Sequence, residues 1–282
     1  TGQVGPHGIL AVTFTNKAAK EMTARLSSLL PINVRGMWIG TFHGLCNRLL
    51  RAHYREAGLP QTFQILDSAD QLAMVKRLLK NLNIDDEKYP PRELCHFINA
   101  HKEQGIRAGQ AEVYDSYTQK RVEIYAEYET QCNREGVVDF AELLLRCHEL
   151  LQRNEPLRAH YQQRFRHILV DEFQDTNRLQ AGLLQAMKPD GRGLTVVGDD
   201  AQSIYSFRGA TVRNILEFPD QFDPPARRVT LDRNYRSTQS ILAAANDVIA
   251  QAKELDMVQE ATVGAGSRKT TYQEAEAPDW RM

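Results

Sequence analysis

The sequence predicts an α/β fold built on a parallel sheet, and three features point to it. Four short apolar runs have strand length and end in small or polar residues: Ile9–Phe14, Met37–Phe42, His167–Asp171 and Leu194–Gly198. Helical periodicity follows each run, which is the alternation of a doubly wound sheet. Between the second and third runs, residues 66–164 show helical patterns alone, as an all-helical subdomain inserted between two strands of one sheet would.

Each element has a local reason. Continuous apolar runs such as Ile9-Leu-Ala-Val-Thr-Phe14 suit strands covered on both faces. After Phe14, Ala18, Met22, Leu26 and Leu29 recur by four, four and three, and Thr15 stands where a helix N-cap belongs. In the middle stretch Asp67–Leu82, Pro91–Lys102, Tyr117–Glu135 and Asp139–Leu151 are amphipathic helices, separated by turns at Asn83–Pro90 and Gly105–Gly109. From about Ala252 the apolar periodicity fades into a poorly packed tail. There is no internal repeat and no low-complexity tract.

Composition narrows the function. With 42% hydrophobic and 25% charged residues over 282 positions, the chain is a folded protein of one large or two ordinary domains. A formal net charge of −1 excludes a chain-wide basic field, so any contact with nucleic acid must come from a local surface. Cys46, Cys95, Cys132 and Cys147 are scattered without a Cys-x-x-Cys pair, so neither a zinc site nor a disulfide framework is signalled. No window approaches the ~20 apolar residues of a membrane span. The expected compartment is the cytoplasm, although Thr1 is not an initiator methionine and a preceding segment stays open.

The chemistry concentrates in Ile168-Leu-Val-Asp-Glu-Phe-Gln-Asp175, where two carboxylates directly follow an apolar strand. An ATPase needs one carboxylate to hold Mg²⁺ and a second to orient and deprotonate the attacking water. Asp171 is the candidate metal ligand and Glu172 the candidate base. A strand that simply ends in solvated acids is the plain alternative to this reading.

Asp171-Glu-Phe-Gln-Asp-Thr-Asn177 resembles the second signature motif of UvrD/PcrA/Rep-type superfamily 1 DNA helicases. Ala11–Met22 is similar to motif Ia of that family, Gly40-Thr-Phe-His-Gly44 to motif Ib, Val197–Ala210 to motif III and Leu231–Ser237 to motif IV. The five stand in the family's order and cover roughly residues 8–250. The resemblance implies a RecA-like motor domain of the P-loop NTPase type that binds ATP and Mg²⁺ and translocates 3′ to 5′ on single-stranded DNA. It further implies duplex junctions as substrate and repair or replication proteins as partners.

Single residues follow from these motifs. Gln202 can hydrogen-bond a γ-phosphate, and Tyr235 and Arg236 offer a ring for adenine and a guanidinium for the γ-phosphate. By resemblance Phe14, Asn16 and Lys17 meet single-stranded DNA, with Thr41 and His43 adding backbone contacts. Tyr205, Phe207 and Arg208 combine rings that stack on bases with a cation, though relatives often carry Trp where Phe207 stands. The alternatives are core packing for Phe14, Tyr205 and Phe207 and a satisfied structural role for His43.

A helicase of this kind also needs a Gly-x-x-x-x-Gly-Lys-Thr loop to cradle the phosphates. None precedes the first strand, and motifs V and VI do not follow motif IV. Gly264–Thr270 is a chance likeness, with Arg268 and Val263 where glycines belong. The expected organisation is a motor domain at 1–65 and 165–228 without its first strand and phosphate loop, and a helical insert at 66–164. The start of a second motor domain or a linker occupies 229–251, and a tail 252–282. Such a portion is expected to be inactive as an isolated chain. A non-catalytic single-stranded DNA-binding module and the motor fragment of a helicase–nuclease subunit are the other two classes.

Overall fold

A computed structural model of the chain describes residues 4–30, 33–204, 210–231, 233–254 and 273–274. The chain forms two compact units, Thr1–Asp199 with Ser203–Thr211 and Asp200–Gln202 with Val212–Met282. In the first unit β1 (Ile9–Thr13), α1 (Asn16–Leu29), β2 (Trp38–Thr41) and α2 (Phe42–Ala52) are followed by β3 (Gln64–Ile65), α3 (Ser68–Asn81), α4 (Pro91–Glu103), α5 (Ser116–Glu135) and β4 (Val137–Val138). Then come α6 (Phe140–Arg153), α7 (Glu155–Arg164), β5 (His167–Val170), α8 (Arg178–Met187) and β6 (Leu194–Val196).

The main sheet runs β2-β1-β5-β6, all parallel, so each expected strand is present. Register aligns Leu10 with Trp38 and Ile168, and Val12 with Gly40 and Val170, which puts these residues on one face. That face is a core. Leu10, Val12 and Trp38 meet Cys46 and Leu49 of α2, Cys147 and Leu151 of α6, and Leu183 and Met187 of α8 around an apolar cavity of about 30 Å³.

Among the described residues of this unit the opposite face is only half covered. Ala11 and Thr13 are buried where α1 packs over β1 and β2. On β5, however, His167 is exposed and Leu169 is 44% exposed beside buried Ile168 and Val170, and on β6 Thr195 is exposed. The expectation of strands covered on both faces therefore holds for β1 and not for β5. A continuous apolar run cannot by itself say whether a helix lies over its second face.

The four expected helices of the middle stretch are present as α3 to α6, with Asp67 capping α3 and Asp139 capping α6. The expectation of an all-helical segment needs one correction, because Val137–Val138 is a strand pairing in parallel with Gln64–Ile65. Gly136, left-handed at φ 67°, ends α5 and turns the chain into that ladder. Two β-branched residues are too short a run to show a period in the sequence. Met74, Val75, Leu79, Leu94, Ile98, Ile124, Tyr125 and Tyr128 make a second apolar core among α3, α4 and α5.

Next to this core lies a buried ionic cluster. Lys102, 1% exposed, donates from Nζ to Asp139 Oδ2 at 2.7 Å and pairs with Glu142 at 2.9 Å. Asp139 also accepts from the Tyr128 hydroxyl at 2.8 Å, and its other oxygen caps α6 through the Glu142 amide at 2.7 Å. Arg107 spreads its guanidinium over Glu129, Glu142 and Glu149, and Arg146 reaches Glu142 from one turn away. Burial alone would raise the Glu142 carboxyl, yet Lys102, Arg107 and Arg146 hold it well below the carboxylate range. Helix α6 joins the two cores, packing on α2 and α8 on one side and on α4 on the other.

The second unit contains α9 (Arg213–Leu216), β7 (Arg233–Asn234), α10 (Gln239–Glu254) and β8 (Gln273–Glu274), with β7 and β8 paired in parallel. Among the described residues no helix is long and apolar enough to cross a membrane.

Candidate functional site

Parallel strands direct all their carboxyl ends to one edge of the sheet, and ligands of open α/β sheets gather there. Along this edge β2 leads into α2, β1 into α1, β5 into Asp171-Glu172, and β6 into Val197–Asp199. Most of the sequence-predicted residues of the first unit therefore share one rim.

Asp171 follows the last residue of β5, and its amide donates to the Val12 carbonyl at 2.9 Å. Its carboxyl lies above the ordinary aspartate value, first because it is partly buried and second because the Glu172 charge is adjacent. The buried Thr13 hydroxyl lies near enough to oppose that shift, but it makes no hydrogen bond of good geometry. Glu172 is left-handed, at φ 53° and ψ 44°, a conformation that costs a residue with a Cβ on the order of 1 kcal/mol or more. Asn83, at φ 51°, is the other non-glycine residue in this conformation among the described residues, and only Glu172 stands next to a second carboxylate.

The turn is tied down from behind. Phe173–Asp175 form one 3-10 turn, and Asn177 and Gln180 make a reciprocal capping box at the start of α8. Gln174 is buried, donates from Nε2 to Glu172 Oε2 at 2.7 Å, and accepts at Oε1 from the Asp199 amide at 3.1 Å. Sequence reasoning gave Gln174 no role. The only available signal was a polar residue between two acids where a buried turn was expected. Asp175 is also raised above its ordinary value by burial and by Glu172.

Those expected DNA-contact residues of this unit that are described cluster at two helix starts. Thr15 caps α1 by accepting from the Ala18 amide at 3.1 Å, with Asn16 and Lys17 exposed in the first turn and Phe14 half-buried before it. Thr41 caps α2 through the Gly44 amide at 3.2 Å. His43, in the first turn of α2, packs edge-on against Phe140 with ring centroids 6.1 Å apart, and burial lowers its pKa below the usual histidine value. Burial thus favours the uncharged ring. Two capped helix N-termini beside each other suit a phosphodiester backbone.

In the second unit Gln202 ends an exposed 3-10 turn, Asp200–Gln202. The Asn234 side chain accepts from the amides of Arg236 and Ser237, both at 2.9 Å, and this turn presents Tyr235, 71% exposed, and exposed Arg236 to solvent. Tyr205, Phe207 and Arg208 lie outside the described residues.

Among the described residues no three His, Cys, Asp or Glu side chains converge as a metal cluster. Asp171 still fits Mg²⁺, since that ion keeps most of its waters and takes one or two protein carboxylates together with substrate phosphates. The donor set suits a metal that arrives with a nucleotide.

The chain matches the model of the UvrD/REP helicase N-terminal domain over residues 1–223. It is 49% identical over 245 residues to DNA helicase II of Escherichia coli and to that of Salmonella typhimurium, an alignment covering 86% of this chain and 34% of each relative. With the ATP-dependent DNA helicase PcrA of Staphylococcus epidermidis it shares 39% over 274 residues, 96% of this chain and 37% of that protein. The chain thus spans about a third of the length of these relatives. The acid pair after β5 and the capped helix starts on the same rim occur in a sequence matched by that domain over most of its length, so the chain belongs to the UvrD/REP helicase N-terminal domain family.

Proposed function

We propose that this chain supplies the ATP-hydrolysing acids and part of the single-stranded DNA grip of an ATP-dependent 3′-to-5′ DNA helicase. The observation that carries the reading is the rim itself, where Asp171 and a strained Glu172 stand beside the capped starts of α1 and α2. The relatives' names, DNA helicase II and ATP-dependent DNA helicase PcrA, support it. In this reading the four-stranded sheet is a RecA-like motor domain, and residues 66–164 are an inserted domain. Residues 229–251 begin a second motor domain. The substrates are single-stranded DNA and duplex junctions, with repair or replication proteins as partners in the cytoplasm.

Within it Asp171 holds Mg²⁺, which neutralises charge on the transferring phosphoryl group when bound. Glu172 takes the proton of the attacking water. Gln202 and Arg236 contact the γ-phosphate, and Tyr235 lies on the adenine. Phe14, Tyr205 and Phe207 stack on bases, while Asn16, Lys17, Thr41, His43 and Arg208 hold the DNA backbone. The 282 residues contain no Gly-x-x-x-x-Gly-Lys-Thr loop, so the chain by itself is expected to turn over ATP far below ~1 s⁻¹. In the full-length protein Glu172→Gln should abolish DNA-stimulated phosphate release while nucleotide binding survives, because the metal ligand stays in place. Equal loss of binding and turnover would make Glu172 a structural residue and sink the reading.

A further inference from the structure

We propose that Gln174 is the positioning residue for Glu172, fixing its carboxylate to the backbone of the segment that leaves β6. The inference rests on the reading of Glu172 as the base. Gln174 is 1% exposed, so its amide has no water to fall back on and both ends must be satisfied by protein. One end donates to Glu172 Oε2 at 2.7 Å, and the other accepts from the Asp199 amide at 3.1 Å. The main-chain carbonyl of Gln174 accepts from the Ser203 hydroxyl at 3.5 Å. The side-chain amide is therefore a two-ended strut between Glu172 and the Asp199 backbone. Glu172 stands in a left-handed turn, a conformation that persists where the surrounding structure holds it. The hydrogen bond occupies one carboxylate oxygen and leaves the other for the water it is to activate.

Two near-isosteric variants separate positioning from architecture. At about pH 9, where its carboxyl is ionised, Gln174→Glu keeps an acceptor for the Asp199 amide but cannot donate to Glu172, and Gln174→Met keeps neither link. In the full-length protein both should lower kcat by about 10²-fold, the cost of a misplaced catalytic group, with KM for ATP within about twofold of wild type. Combined with Glu172→Gln, either variant should reduce the residual single-turnover rate no further, because the two side chains act as one unit. Hydrogen exchange at the Asp199 amide should stay slow in Gln174→Glu and become fast in Gln174→Met. Wild-type kcat in Gln174→Glu would overturn the proposal and leave Gln174 as a structural link to residue 199. If Gln174→Met does not fold, Gln174→Glu carries the test alone. Wild-type turnover in Glu172→Gln would instead remove the base reading on which the inference stands, an outcome read from a different variant.

Discussion

The ionic cluster under α6 and the acid turn after β5 are both built from carboxylates taken partly out of water, and they solve the problem in opposite ways. Around Lys102 each buried carboxylate has a cation at 2.7–2.9 Å, and Glu142 is held below its ordinary value. At the sheet rim Asp171 and Asp175 have no cation partner among the described residues, stand near Glu172, and are raised. Paired charges of the first kind fix which helices pack together. Those of the second kind keep an electrostatic cost that a cation, such as the Mg²⁺ proposed for Asp171, would relieve.

The largest effect that can break this contrast is expected from Lys102→Met. It leaves Asp139 and Glu142 buried without their shared cation, and breaking such a pair costs about 3–5 kcal/mol. Urea unfolding of the chain measures this, and a loss below 1 kcal/mol would show that the cluster is incidental to the fold.

Acid should act next. A carboxyl whose folded value is depressed contributes stability that is present above its unfolded value, ~4.3 for Glu, and is lost as the pH falls toward the folded value. Glu142 is such a group, so the unfolding midpoint should drop steadily between about pH 5 and pH 3. Asp171 and Asp175, being raised, push the other way and blunt the fall. A midpoint that rises on acidification would mean that the rim, not the cluster, dominates the titration.

A cap on the rim is worth less. Thr41→Ala removes the acceptor for the Gly44 amide and should cost about 1 kcal/mol, together with weaker binding of a labelled single-stranded oligonucleotide by anisotropy. Undiminished DNA binding at that loss of stability would detach α2 from the DNA surface. Smallest of all, Asp171→Asn should change stability by no more than ~0.5 kcal/mol, or raise it, since it removes a half-buried like charge beside Glu172. A large destabilisation would place Asp171 with the structural ions.

How much of this was legible in the sequence depends on how far apart the partners lie. The four strands, α1 and the helices α3 to α6 were readable because apolar spacing, and for α1 the cap Thr15, act within a few residues. The acid pair was readable because it directly follows a strand. Lys102 and Asp139 stand 37 positions apart, and on separate amphipathic helices each passes for a solvated charge. The link from Gln174 to Asp199 crosses 25 positions and ends on a backbone amide, which leaves no trace in side-chain identity. The open half of the sheet was hidden for the opposite reason, because Leu169 and Val197 read as core whether or not anything lies over them.

That half-open sheet has a consequence for how the chain behaves in a test tube. Leu169 and Val197, 44% and 49% exposed, stand beside β6, a three-residue strand that pairs only with β5 among the described residues and so leaves a short outer edge. An apolar surface bordered by an unpaired strand is the template on which sheets of separate molecules join edge to edge. The polypeptide on its own should therefore become stickier as it is concentrated. Light scattering should grow with protein concentration and recede when a charge is placed at Leu169, because the same surface that gives a sheet room for another layer also gives it a neighbour.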